Sequence, residues 1–378
     1  MGKRQKLEEK KIGFIISGLG MGGAEKFLVN LTNHFYKDGY DLILIILSDK
    51  QELLPELDPG IKTFTILRNY RFDIFVSRRI RRVIEEEKIT TMFCVNVYSF
   101  FITKLALLFH KKIKIYLSIH STIPVSKKIF FQNIFYFRFL SKNETIIYLC
   151  NNQKNYLQKK YLLPKTFGRI INNGINITYF DPSLIQEENM LEFKSQYYLK
   201  PDDKVILQVA RLQNEKRHSD AIGALQLLHQ SFKNKAHLLI VGSGTSEYTS
   251  YLKRLVKESA LEGYVHFLGS HSDVRKFYSI SDLFTLTSSS ETFSLAALEA
   301  MSFGLPCSLT DVGGASEMIT EGISGILSIP LDINSIASSW SDILNGDFNR
   351  VNIRNHIANN FNEERMFNEY KMLLGSNN

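Results

Sequence analysis

The sequence predicts an α/β fold of two doubly wound domains in tandem, on three observations. Unbroken apolar runs of strand length recur along the chain, glycine-bearing loops follow several of them, and amphipathic segments at helical spacing lie between. The 378 residues suffice for two domains, each burying a core of its own. With 44% apolar and 22% charged residues the chain is neither disordered nor collagen-like.

The first half opens with a strand over residues 11–17, then the loop Gly18-Leu-Gly-Met-Gly-Gly23 and a helix over 24–37 carrying Phe27, Leu28, Leu31 and Phe35 on one face. Further strands are expected at 42–47, 91–97, 113–119 and 145–149. Residues 172–201 mix Asn, Gly, Asp and Pro with charge and read as a connection. A second series follows: strand 205–209, helix 219–232, strand 237–241 ending in Gly242-Ser-Gly244, helix 247–260, strand 265–268 ending at Gly269, strand 283–287, helix 294–303 and strand 306–310. The expected division is a first domain over 1–180, a second over 181–350, and a helical segment over 351–378 packing back on the first.

The net charge of +8 hides an asymmetry. Residues 1–180 hold 29 Lys and Arg against 14 Asp and Glu, whereas 181–378 hold 17 against 24. A basic half joined to an acidic half points to two surfaces with different partners rather than to nucleic acid. No apolar run reaches the roughly 18 residues of a membrane span. Cys94, Cys150 and Cys307 are odd in number and far apart, which fits neither a disulfide framework nor a zinc site and points to a reducing compartment. The start, MGKRQKLEEKK, lacks the apolar stretch of a secretory signal, and Lys6 stands where myristoylation needs Ser or Thr.

The most informative stretch is TSSSETFSLAALEAMSFGLPCSLTDVGGASEMI, residues 287–319. Glu291 lies in a polar loop, Thr292-Phe293-Ser294-Leu295 opens a helix, and Glu299 follows about two turns along it. The unpaired N–H groups and dipole of a helix start attract phosphate, while the two carboxylates can grip hydroxyls on either side. Two glutamates on a helix surface also meet by chance. Arg211 and Lys216 follow a strand, where open α/β sheets bind ligands, and two cations there suit a diphosphate. With no acidic triad or His/Cys cluster at metal spacing, these cations can take the place of Mg²⁺. Gly18-x-Gly20-x-x-Gly23 also matches a dinucleotide fingerprint, with Asp49 as its acidic partner, so a dehydrogenase stays open. His120 ends a strand and is placed to line a cleft. The segment from Lys127 to Lys142, with Lys128, Phe130, Phe131 and Arg138, suits an anionic membrane interface. Further basic clusters lie at Arg68–Arg71, Arg78–Arg82 and Lys111–Lys114.

The segment Glu291–Glu299 resembles the E-x7-E signature of family 4 of the retaining glycosyltransferases, which have the GT-B fold. Gly22-Gly-Ala-Glu25, Asn173-Gly-Ile-Asn-Ile177, the 210–216 loop and Val265–Gly269 fall in that family's order, so the resemblance spans about residues 12–330. Thr292 and Arg217 stand where the family usually has glycine. The resemblance implies two Rossmann-like domains facing across a cleft and transfer from a nucleotide-diphosphate sugar, a UDP-sugar by family habit, with no metal or other cofactor. Arg211 and Lys216 would hold the diphosphate, Glu299 the ribose and Glu291 the sugar. The amides of Phe293, Ser294 and Leu295, next to Thr292, would cap the phosphates. Val265, Leu268 and Gly269 would border the base, and Gly22 and Gly23 would approach the diphosphate. His120 would touch the donor sugar, with Glu25 on the acceptor side. A lipid-linked or lipopolysaccharide-type acceptor at the cytoplasmic membrane face, and no nucleic acid, completes the expectation. A non-catalytic nucleotide-sugar-binding module is the remaining alternative.

Overall fold

Two all-parallel sheets, of seven and six strands, organise the computed structural model, which describes residues 11–68, 75–108, 113–124, 126–141, 144–164, 168–231 and 235–375. The chain divides into two compact units, the first ending at Ile171 and the second beginning at Asn172. The N-terminal residues with Lys6, and Arg71, Lys111, Lys112 and Lys142, lie outside the described residues.

In the first unit the elements run β1 (Ile12–Ile16), α1 (Gly23–Lys37), β2 (Leu42–Ile46), β3 (Lys62–Thr65), α2 (Phe75–Glu86), β4 (Thr91–Val95), α3 (Val97–Ala106), β5 (Lys114–Ser118), α4 (Lys127–Phe137), β6 (Glu144–Tyr148), α5 (Asn151–Tyr161) and β7 (Arg169–Ile170). Every residue of β1, β2 and β4 is buried, as strands covered by helices on both faces require. The strand order is β3-β2-β1-β4-β5-β6-β7. Helix α2 lies where the sequence showed only a basic cluster. Val76, Ile80, Val83 and Ile84 form its buried stripe, while Arg81 and Arg82 pair with Glu85 and Glu86 one turn on. Part of the apparent basic surface is therefore neutralised on its own helix.

The second unit contains α6 (Glu187–Ser195), β8 (Lys204–Val209), α7 (His218–Ser231), β9 (Ala236–Val241), α8 (Ser246–Glu258), β10 (Val265–Gly269), α9 (Arg275–Ser279), β11 (Leu283–Leu286), α10 (Leu295–Ser302), β12 (Cys307–Thr310), α11 (Ala315–Met318), β13 (Gly325–Ser328), α12 (Ile333–Asn345), α13 (Arg350–Asn360) and α14 (Glu363–Gly375). Its order, β10-β9-β8-β11-β12-β13, repeats the first unit's. Trp340 of α12 is fully buried among Ile206, Leu225, Leu238 and Ile336, and its indole N–H donates to Thr285 at 3.0 Å. Each such apolar side chain contributes about 1.5–3 kcal/mol by burial. The stretch expected to be a plain connection folds in part into α6. Residues 351–375 form most of α13 and all of α14, and the corner between them pairs with Ile175 through Asn362.

Both sheets reverse direction of strand addition at one place, between β1 and β4 in the first and between β8 and β11 in the second. Loops leaving the carboxyl ends of two strands diverge there and leave a crevice, the usual ligand site of open α/β sheets.

Candidate functional site

The loops after β8 and β11 carry the strongest group of polar side chains in the second unit. Lys216 Nζ lies 2.5 Å from Glu291 Oε1, and Ser288 Oγ donates to the same oxygen at 3.1 Å. Both side chains of the pair are less than one-fifth exposed. Two residues that sequence reasoning missed fix the Lys216 loop from below. Thr287 Oγ1 lies 2.9 Å from the Arg217 carbonyl and 3.2 Å from that of Lys216, and Gln208 Nε2 also reaches the Lys216 carbonyl. Ser289 N donates to Glu215 O at 2.8 Å, joining the two loops through the main chain. The Thr287 and Ser289 contacts span 70 residues or more of sequence, so no local pattern could have announced them.

Arg217 adopts a left-handed conformation, φ 51°, which explains why a glycine suits this position. Here the conformation is held by a two-pronged ion pair from the guanidinium to Asp220, at 2.7 and 2.9 Å. His218 beside it is wholly buried, and burial, with the Lys216 charge, pushes its pKa down to about 4. Arg211 is exposed and makes no ion pair among the described residues.

Helix α10 starts later than its sequence suggests. Ser294 is the cap, its Oγ accepting from Ala297 N at 3.2 Å, and Leu295 is the first helical residue. Thr292 and Phe293 are buried in the approach, with the Phe293 ring against Phe361. Gly313, at φ 58°, and Gly314 press on this approach from behind. Gly314 N donates to Thr292 O at 2.7 Å, and a Cβ on Gly313 would stand 2.7 Å from the same oxygen. Glu299 sits in the second turn of α10, its Oε2 accepting from the buried Tyr278 hydroxyl at 2.7 Å. Burial, with that carboxylate second, holds the Tyr278 phenol far above its ordinary pKa.

The remaining donor-side candidates divide. Leu268 and Gly269 end β10, where Gly269 O accepts from Gly242 N at 2.8 Å. Val265 starts that strand and packs in the core, at the opposite end from the crevice, so its side chain is structural.

In the first unit Gly22 caps α1 and Gly23 begins it, with Glu25 in its first turn. His120 follows β5. Its Nε2 lies 2.9 Å from Ser118 Oγ, its N–H is bound by Asn96 Oδ1, and its ring lies 4.5 Å from that of Phe27. Burial pushes its pKa down to about 3, so it is neutral at physiological pH. Helix α4, capped by Ser126, turns Tyr136 and Phe137 inward and leaves Phe131, Ile134 and Phe135 exposed. Lys127, Lys128 and Arg138 are exposed at its ends. Phe130 is half-buried, against Tyr161 and under Lys160, so it does not belong to the outward apolar face. Among the described residues no helix is long and apolar enough to cross a membrane.

Comparison with known proteins places this geometry. The model of the glycosyl transferases group 1 matches residues 190–363, and that of glycosyltransferase family 4 matches residues 21–179. A glycosyltransferase of Haemophilus influenzae is 28% identical over 302 residues, 79% of each chain. The O-antigen biosynthesis glycosyltransferase WbnH of Escherichia coli is 26% identical over 314 residues, 82% of this chain and 84% of that one. The crystal structure of Anabaena HepE in complex with UDP-glucose matches with a TM-score of 0.82 at 19% identity, covering 97% of this chain and all of that one. Together with the two Rossmann-like sheets, these likenesses show a GT-B fold.

Proposed function

We propose, since this chain belongs to glycosyltransferase family 4, that it moves a sugar from a UDP-sugar to a hydroxyl of a lipid-linked or lipopolysaccharide-type glycan with retention of configuration. It is a transferase, which sets aside both the dinucleotide reading of the Gly18–Gly23 loop and a purely sugar-binding module. The observation that carries the donor assignment is the convergence of Lys216, Glu291 and the start of α10 at the β8/β11 crevice. One relative acts in O-antigen biosynthesis by its name and one similar structure holds UDP-glucose, which favours a glycan acceptor and a uridine donor.

In this reading the bond from the anomeric carbon to the β-phosphate oxygen breaks as the acceptor oxygen attacks from the same face. The departing diphosphate takes up the acceptor's proton. Negative charge grows on the diphosphate, and Arg211, Lys216 and the N–H groups of Phe293, Ser294 and Leu295 stabilise it without a metal ion. Preorganised donors of this kind are worth roughly 10²–10³ in rate each. Glu299, oriented by Tyr278, holds the ribose, and Glu291 holds hydroxyls of the transferred sugar. Leu268 and Gly269 border the base. Gly22 and Gly23 approach the diphosphate, Glu25 serves the acceptor, and the neutral His120 touches the sugar as a hydrogen-bonding group rather than a cation. The exposed face of α4, apolar and flanked by Lys127, Lys128 and Arg138, rests on the anionic inner face of the membrane.

The test is a panel of nucleotide sugars assayed for binding and slow hydrolysis by the wild type and by Lys216→Ala and Glu299→Ala. Binding of a UDP-sugar with loss of turnover in folded variants supports the assignment. Full activity in both variants refutes it.

A further inference from the structure

Asn173 belongs to a motif that the donor assignment leaves without a role. It is the second residue of the second unit, three beyond β7, and its side chain is buried with 4% exposed. Nδ2 donates to the carbonyl of Phe293 at 2.9 Å, 120 residues further along. Oδ1 is buried without a hydrogen-bond partner among the described residues. An amide that sacrifices one of its polar atoms is not explained by self-satisfaction.

The main chain around Asn173 is fixed. Gly174 N lies 3.2 Å from Met366 Sδ, Ile175 N donates to Phe361 O at 2.8 Å, and Glu363 N donates to Ile175 O at 3.0 Å. A Cβ on Gly174 would stand 2.6 Å from Asn362 O and 2.7 Å from Glu363 Cα, so this segment lies flat on the α13–α14 corner. From that anchored base Asn173 reaches the approach to α10.

Peptide planarity gives the contact its consequence. In a trans peptide the C=O of one residue and the N–H of the next lie in one plane and point opposite ways. Gly314 N holds the Thr292 carbonyl and so orients the N–H of Phe293. Asn173 Nδ2 holds the Phe293 carbonyl and so orients the N–H of Ser294. Neither N–H finds an acceptor among the described residues. Two consecutive unpaired amides, each fixed from behind, form the kind of cradle that receives an anion.

We infer that Asn173 is a positioning residue for the donor, setting the Ser294 N–H through the Phe293 carbonyl. The inference rests on the donor site assigned above, and its test has an arm that does not. In the first arm, hydrogen exchange of residues 291–295 is compared without ligand in the wild type, Asn173→Ala and Asn173→Ser. Faster exchange confined to this loop in Asn173→Ala, partly restored by the serine hydroxyl, is expected. In the second arm, UDP affinity and the donor KM are measured. The alanine variant should bind UDP about tenfold more weakly and raise KM, while the melting temperature stays close to that of the serine variant, which recovers part of the affinity. If the alanine variant does not fold, the serine and Asn173→Asp variants carry the comparison, the aspartate losing the donor without changing shape. Wild-type UDP affinity in these variants overturns the inference, as does a uniform rise in exchange with no effect on the loop in particular. Failure of the wild type itself to bind UDP refutes the donor assignment, and the exchange arm still decides whether Asn173 anchors the loop.

Discussion

Glu291→Gln is expected to tighten UDP binding while it weakens transfer. Lys216 is held by Glu291 at 2.5 Å, with both side chains mostly buried. A diphosphate that recruits Lys216 must therefore compete with a carboxylate, and it also meets that carboxylate's charge. A hydrogen bond to a charged group is worth about 1.5–3 kcal/mol net, and glutamine keeps the shape while removing the charge. If roughly half of that holding energy is released, UDP affinity rises by about 1 kcal/mol, on the order of fivefold. Transfer falls nevertheless, because the sugar loses a charged acceptor for its hydroxyls. Titration calorimetry with UDP at fixed ionic strength reads the first effect, and initial rates with the UDP-sugar read the second. Lys216→Met in both backgrounds closes a double-mutant cycle: without the lysine, removal of the Glu291 charge should improve UDP binding much less. Unchanged or weaker UDP binding by a stably folded Glu291→Gln refutes the view that this pair competes with the donor.

Other outcomes follow from single contacts. Gly313→Ala places a Cβ at φ 58° against the carbonyls of Glu291 and Thr292, so thermal stability and UDP affinity should fall together, with about 1–2 kcal/mol from the backbone conformation alone; a variant that melts and binds like the wild type contradicts the packing described. His218 titrates near 4 in the folded chain against about 6.5 unfolded, so the unfolded state takes up its proton first as pH falls. Stability is full above pH 6.5 and is lost between there and about pH 4, by up to about 3 kcal/mol. Urea unfolding at several pH values should show a shallower acid slope for His218→Gln, and identical slopes would remove His218 as the cause. Lys127→Gln with Lys128→Gln should cut co-sedimentation with anionic vesicles at low salt by roughly tenfold or more, at about 1 kcal/mol per cation; absence of wild-type binding ends the membrane proposal.

What the sequence made legible depends on how far apart the interacting residues lie. The strands at 42–47 and 237–241 were readable because burial on both faces demands continuous apolar runs, and the observed β2 and β9 agree to within a residue at each end. Arg211 and Lys216 stood out as cations just past a strand end, and Glu291 and Glu299 as carboxylates flanking a helix start. Their assembly was not readable, since Lys216 and Glu291 meet only because β11 inserts beside β8 rather than beside its predecessor β10. Asn173 and Thr287 act through carbonyls distant in sequence, and hydrogen bonds of that kind leave no periodicity. The basic half shows the converse error. Arg81 and Arg82 looked like surface charge for a partner, yet each has a glutamate one turn on. Exposed pairs of this sort contribute at most about 1 kcal/mol to stability, but they cancel the field a partner would sense. The membrane docking proposed above therefore relies on α4, whose exposed Lys127, Lys128 and Arg138 have no carboxylate paired with them among the described residues, and not on Arg81 and Arg82 of α2. Charge reversal at Arg81 and Arg82 should accordingly disturb vesicle binding less than neutralising Lys127 and Lys128, a ranking that net charge alone would put the other way.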